Sequence, residues 1–175
     1  QRQMCVGDRA KDPRRGRLMP LWRRVLADLG IEPRVLLVSR HPHEVAASLL
    51  RRDGLPVVIG ELLWARYLLD AVRGSEGCRR GMVAYDEVLA DWRGAIHGID
   101  GALGLSLGAS ATGPDADAVD AFLRPQLRHH HAHSIAFDGP LQALAAVAEG
   151  GLGEDDVAAA ERGFASGIAP AAALV

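Results

Sequence analysis

The spacing of apolar residues changes along the chain, and each spacing predicts a different element. Residues 18–29 place large apolar side chains every three or four positions, which predicts a helix that ends at Gly30. Residues 35–38 are all apolar with β-branched ends, which predicts a strand of a parallel sheet, buried on both faces. Helical spacing returns over residues 44–52 and 61–73, which predicts two further helices.

The second half of the chain repeats this alternation. Residues 82–85 predict a second short strand. Asp86 follows directly and is a favourable N-cap for a helix through residue 92 and on to Leu103. The remaining predicted elements are a small-residue loop at 108–114 and helices at 115–123, 137–148 and 154–166.

The order of these elements predicts the fold class. Strands that alternate with helices build a mainly parallel sheet flanked by helices, so the predicted class is α/β. Two strands are visible, whereas a parallel sheet covered on both faces normally has more. We therefore expect a partial sheet whose missing strands precede Gln1. The lack of an initiator methionine agrees with an N-terminally truncated domain.

Composition and charge narrow the possible functions. Hydrophobic residues make up 49% and charged residues 24% of the 175 residues, as in ordinary globular domains. Residues 1–80 carry 16 of the 20 Lys and Arg residues, and residues 81–175 carry 13 of the 22 Asp and Glu residues. The basic half favours a polyanionic ligand. No basic run is dense enough to indicate a nucleic-acid surface.

Cysteine and histidine usage argues against a disulfide framework and against a metal site. Cys5 and Cys78 are the two cysteines of the sequence. The histidines at 129–131 and 133 are clustered, but no Cys or flanking carboxylate completes a metal site, so we expect no metal. No signal peptide is visible, and the apolar stretches are shorter than a membrane span. These features predict a cytoplasmic protein.

The segment with the clearest chemical signal is VLLVSRHPHEVAASLLRR, residues 35–52. Arg40 follows the predicted strand, and Ser48 lies about a turn into the next helix. Ligands of parallel α/β sheets bind beyond the carboxyl ends of strands. A guanidinium and a hydroxyl that meet there, beside a helix N-terminus, can bind a phosphate. A plainer alternative is that Arg40 pairs with Glu44 or Asp53 on the surface.

This segment resembles the 3′-phosphate-binding motif of sulfotransferases, which use 3′-phosphoadenosine 5′-phosphosulfate (PAPS). In that family an apolar strand is followed by an Arg, a short turn and a Ser eight residues later, which Arg40 and Ser48 match. The run RHPHEVAASLLRRDGLP is similar to bacterial members in particular. The resemblance implies a P-loop-NTPase-like α/β fold. It also implies that the complete enzyme moves a sulfonate group from PAPS to an acceptor hydroxyl or amine without a metal.

Three further segments carry the resemblance, which covers roughly residues 11–133. Residues 11–14, KDPR, look like the segment that precedes this strand in bacterial members. Residues 83–89, VAYDEVL, look like the later strand and motif whose tyrosine lies near the adenine. Residues 123–129 look like the basic segment near the end of the domain. The cofactor-binding residues that the resemblance implies are Arg40, Ser48, Tyr85, Lys11 and Arg128.

Two departures from the family pattern limit what the chain is expected to do alone. The phosphosulfate-binding loop has no counterpart, because Pro114-Asp115 follows the GxxxxG run at 108–113 instead of Lys-Ser/Thr. The histidine that is the base in many cytosolic members is replaced by Pro13, so the catalytic residues stay unknown. We expect residues 1–133 to be the C-terminal part of a sulfotransferase-like domain, inactive by itself. Residues 134–175 are expected to form an Ala/Gly-rich helical extension.

Two other functions stay open. One is a non-catalytic nucleotide-binding or interaction module. The other is a different nucleotide-dependent α/β phosphotransferase, which needs a GxxxxGK[ST] loop and an Asp for magnesium. For the leading function the expected partner besides PAPS is a small-molecule or saccharide acceptor. The sequence indicates neither the acceptor nor the oligomeric state.

Overall fold

The computed structural model describes residues 15–112, 114–123, 144, 147–148 and 154–172. In chain order the elements are α1 (Arg15–Asp28), β1 (Arg34–Ser39), α2 (Pro42–Asp53), α3 (Val57–Gly74), β2 (Arg79–Ala84), α4 (Tyr85–Ala90), α5 (Trp92–Leu103), a 3₁₀ turn (Gly108–Ala111), α6 (Pro114–Phe122) and α7 (Glu154–Ala172). None of the helices in these ranges combines the length and the apolar character needed to cross a membrane.

The two strands form a small parallel sheet. Their register runs from Arg34 opposite Arg79 to Ser39 opposite Ala84. Helices α2 and α3 connect the strands, because parallel neighbours need a long crossover connection. The predicted α/β class and both predicted strands are therefore confirmed, with helices making up most of the described chain.

The prediction that β1 is buried on both faces is wrong. Leu37 and Ser39 are buried, whereas Leu36 and Val38 on the opposite face are 39% and 63% exposed. The alternation follows from the strand itself, whose successive side chains point to opposite faces. The cluster that α5 builds over Val83 includes neither Leu36 nor Val38. That face of β1 is therefore open in the described structure.

The main core lies between β1, α3 and α7. Its buried members are Leu37, Trp64, Ala65, Leu69, Val72, Leu144, Val147, Val157, Ala160 and Phe164. The stretch 134–175, expected as an extension, thus contributes Leu144 and Phe164 to the same core as β1. Helix α2 lies close to α3, because a Cβ on Gly60 would be 2.8 Å from Cα of Ala46.

The predicted helix from Asp86 to Leu103 is wrong in two ways. It is two helices, because Asp91 ends α4 and its carboxylate accepts a hydrogen bond from the Gly94 amide at 3.0 Å. Asp86 is also not the N-cap, since α4 already begins at Tyr85.

The start of α4 has a different stabilising contact. The Ala84 amide donates to the carboxylate of Glu87 at 2.9 Å, which stabilises the first turn from its third residue.

The other predicted helices agree with the structure where it describes them. Helices α1, α2 and α6 agree with the predicted positions to within about one turn at each end, whereas α3 begins four residues earlier than predicted and α7 runs six residues further. The predicted loop at 108–114 contains the 3₁₀ turn. The predicted helix at 137–148 lies mostly outside the described residues.

Candidate functional site

The carboxyl ends of the two strands lie side by side, because Ser39 pairs with Ala84 in the parallel register. The residue after each strand therefore reaches the same edge of the sheet. These residues are Arg40 and Tyr85. The guanidinium carbon of Arg40 lies 4.8 Å from the centroid of the Tyr85 ring, within the range of a cation–π contact. The fold thus brings together two of the five residues that the resemblance implies.

Arg40 is also held by Glu44, one helical turn further along the chain. Arg40 Nε donates to Glu44 Oε2 at 2.8 Å. The Glu44 side chain is 1% exposed and the Arg40 side chain 27% exposed. The alternative pairing of Arg40 with Glu44 is therefore confirmed. The alternative with Asp53 is wrong, since Asp53 pairs with Arg52 at 2.6 Å.

Ser48 lies on α2 one turn beyond Glu44, so both project from the same side of the helix. The serine is exposed. Within the described part of the chain no hydrogen bond joins its hydroxyl to Arg40. Ser48 is therefore open to solvent, and its meeting with Arg40 at one ligand stays a prediction.

Two histidines complete the turn between β1 and α2. Nδ1 of His41 accepts a hydrogen bond from the His43 amide at 3.3 Å and so caps α2. Nδ1 of His43 lies 3.2 Å from Oε1 of Glu61 on α3. Burial lowers the pKa of His41, and the negative charge of Glu44 opposes this shift. A neutral His41 suits an Nδ1 that acts as acceptor.

Together these side chains form what we call the strand-end cluster, which is Arg40, His41, His43, Glu44, Glu61 and Tyr85. The near-complete burial of Glu44 was not predicted, although its spacing of four residues from Arg40 signals the pair. Nothing in the sequence signals the contact between His43 and Glu61. The C-terminal part of the chain also reaches this edge, because Ser39 Oγ donates to the carbonyl of Ala148 at 3.0 Å.

The other predicted cofactor residues, Lys11 and Arg128, lie outside the described residues, as do the clustered histidines at 129–133. Among the described residues no group of three or more His, Cys, Asp or Glu is arranged to hold a metal ion.

No protein-family model, curated protein or solved structure matches the chain. The geometry of the strand-end cluster and the motifs that supply it therefore carry the functional interpretation.

The start of the GxxxxG run at Gly108 takes part in a local structural contact. The amides of Leu107 and Gly108 donate to the two carboxylate oxygens of Asp100 at 2.8 and 2.7 Å. These amides close the end of α5 through an acidic side chain.

Two cavities lie away from the strand-end cluster. One of about 280 Å³ lies between α3 and α7, and one of about 590 Å³ lies between α1 and the turn after α3. Arg73 lines both, but its guanidinium already pairs with Glu161 at 2.6 Å and with Glu76 at 2.9 Å. We place the candidate site at the strand-end cluster, because parallel sheets bind ligands at that edge.

Proposed function

We propose that this chain carries the 3′-phosphate-binding half of a PAPS site in a sulfotransferase with a P-loop-NTPase-like fold. The contact of Arg40 with Tyr85 supports this function most directly. The motifs assign one residue to the 3′-phosphate and the other to the adenine. These two groups belong to one nucleoside, so their protein partners must be neighbours.

In this proposal each side chain has a binding task. Arg40 donates hydrogen bonds from its terminal nitrogens to the 3′-phosphate, and the exposed hydroxyl of Ser48 adds another. The N-terminus of α2 adds partial positive charge at the same point. Tyr85 lies beside the adenine.

The reaction forms a bond between the acceptor oxygen or nitrogen and sulfur while the bond from sulfur to the bridging phosphate oxygen breaks. The acceptor proton passes to a base that is not identified. The residues at the strand ends contribute by positioning the nucleotide rather than by covalent chemistry.

Two nucleotides that differ in one group test the proposal. The chain should bind 3′-phosphoadenosine 5′-phosphate more tightly than adenosine 5′-phosphate in calorimetric titrations. A charge-assisted contact contributes roughly 1.5–3 kcal/mol, which is a preference of about tenfold to hundredfold. Arg40→Ala should nearly abolish the preference. Arg40→Lys should keep a smaller preference, because lysine keeps the positive charge but lacks the planar guanidinium that can bind two phosphate oxygens at once.

Two variants on α2 complete the test. Ser48→Ala should reduce the preference less than Arg40→Ala, because it removes one neutral donor. Arg52→Ala is the matched control, because Arg52 is an exposed arginine of the same helix that pairs with Asp53. Equal binding of both nucleotides by the wild type, or an unchanged preference in Arg40→Ala, would contradict the proposal.

One observation favours a second candidate, an interaction module. Helix α1 exposes Leu18, Leu21, Trp22 and Val25 at helical spacing, and Leu29, directly after the helix, is also exposed. Such a stripe normally packs against another surface. This candidate predicts concentration-dependent association in sedimentation experiments and no nucleotide preference.

A further inference from the structure

Among the residues that the structure describes, Glu44 is the only charged residue that is buried, with 1% of its surface exposed. An ionised carboxylate is unfavourable in a buried position unless a charged or hydrogen-bonding partner compensates it. Arg40 supplies that compensation through its Nε at 2.8 Å. The pair is therefore constrained, since Glu44 is buried and α2 fixes its backbone.

The constraint acts on the orientation of the Arg40 guanidinium. One edge of this planar group, at Nε, is used by Glu44, and one face lies against the Tyr85 ring at 4.8 Å. No contact between described residues uses its Nη1 or Nη2. These two nitrogens form the edge that binds two phosphate oxygens at once.

Charge alone predicts the opposite role for Glu44. A carboxylate beside Arg40 lowers the positive potential at the strand ends, and this opposes binding of a phosphate. Glu44 favours phosphate binding only if holding the guanidinium in place outweighs that repulsion. The two explanations therefore differ in the sign of the effect when the charge of Glu44 is removed.

We infer that Glu44 is a positioning residue, which fixes the guanidinium of Arg40 so that its Nη1 and Nη2 bind the 3′-phosphate of the nucleotide. This inference rests on the proposed function. Glu44 itself makes no contact with the nucleotide.

The experiment measures the preference for 3′-phosphoadenosine 5′-phosphate over adenosine 5′-phosphate in Glu44→Gln. We expect the preference to fall about threefold to tenfold, because the ion pair that holds Arg40 becomes a weaker hydrogen bond from the charged guanidinium to a neutral amide oxygen. Glu61→Gln is the matched control, because it removes a negative charge from the same cluster and leaves the contacts of Arg40 intact. Its preference should stay the same or rise slightly.

A preference that stays unchanged or rises in Glu44→Gln would overturn the inference. An equal loss of affinity for both nucleotides would also overturn it, because that is the result of a merely structural role. If Glu44→Gln does not fold, Glu44→Asp serves instead. It keeps the charge but shortens the side chain, so the preference should again fall, and an unchanged preference would count against positioning.

Failure of the proposed function gives a different result. In that case the wild type itself binds both nucleotides equally. The exchange rate of the Arg40 Nε hydrogen, followed by NMR, then reports on the pair without a ligand. Slow exchange in the wild type that becomes fast in Glu44→Gln would show an intact pair at a site that does not recognise a 3′-phosphate.

Discussion

The position of α2, which carries Glu44 and Ser48, depends on a close approach to α3 at Gly60. A Cβ on Gly60 would lie 2.8 Å from Cα and 2.9 Å from Cβ of Ala46. Ala46 is fully buried, and its Cα belongs to the helix backbone. The added methyl group of Gly60→Ala can therefore be accommodated only if the two helices move apart.

Two opposing effects set the magnitude. Overpacking of a well-packed contact costs about 1–3 kcal/mol. Alanine in place of glycine within a helix is favourable by about 1 kcal/mol. We therefore expect Gly60→Ala to lower the free energy of unfolding by up to about 2 kcal/mol. Gly98→Ala on α5 is the control, since no atom lies within 4 Å of its Cβ position. It should raise the free energy of unfolding by about 0.5–1 kcal/mol.

The assay is urea denaturation followed by circular dichroism for the wild type and both variants. The two substitutions should differ by about 1–3 kcal/mol, because the intrinsic gain is common to both. If Gly60→Ala were stabilised as much as Gly98→Ala, then α2 and α3 would not be in close contact. The orientation of α2 relative to the strand ends would then need revision.

Three further predictions concern other parts of the molecule. Leu144→Ala should lower the free energy of unfolding by about 2–5 kcal/mol, because Leu144 is fully buried, whereas exposed Val58→Ala should change it by less than about 0.5 kcal/mol. Hydrogen bonds from Arg93 and Trp92 lower the pKa of Asp120 to about 2. The stabilisation from Asp120 is therefore present above its ordinary pKa of 3.8 and is lost as the pH falls through about 2; an NMR midpoint near 3.8 would disagree. The 175 residues should not transfer sulfonate from PAPS, since no segment of their sequence matches the pattern of a phosphosulfate-binding loop; sustained transfer in a radiolabel assay would refute this.

The parts of the fold that the sequence predicted are those where one signal dominates. The strand before Arg40 is a short apolar run, and α3 has a clear apolar face. The sequence did not predict the break between α4 and α5 at Asp91, because the apolar residues on both sides of it keep one helical spacing. Asp91 breaks the helix through its capping contact with Gly94, which is visible only once the backbone is known.

The candidate site was predictable in part for a similar reason. A parallel register places the residues after both strands at one edge, so the neighbourhood of Arg40 and Tyr85 follows from topology. The exposure of Ser48 and the burial of Glu44 depend on which side of α2 faces the sheet. The apolar residues of α2 include Val45, Ala46, Leu49 and Leu50, and a charged residue such as Glu44 beside them is expected at the surface, so the sequence did not predict its burial.

The hydrogen bond from Ser39 to Ala148 joins residues 109 positions apart, and it bears on the order in which the chain folds during synthesis. The main core combines Leu37 with Leu144 and Phe164. A ribosome that adds about 5–20 residues per second needs on the order of ten seconds to reach Ala148 after Ser39. Over that interval the core face of β1 has α3 as a partner but lacks the contacts from Leu144 and Phe164. Nascent chains that stop before residue 144 should therefore bind chaperones more than chains that reach residue 172.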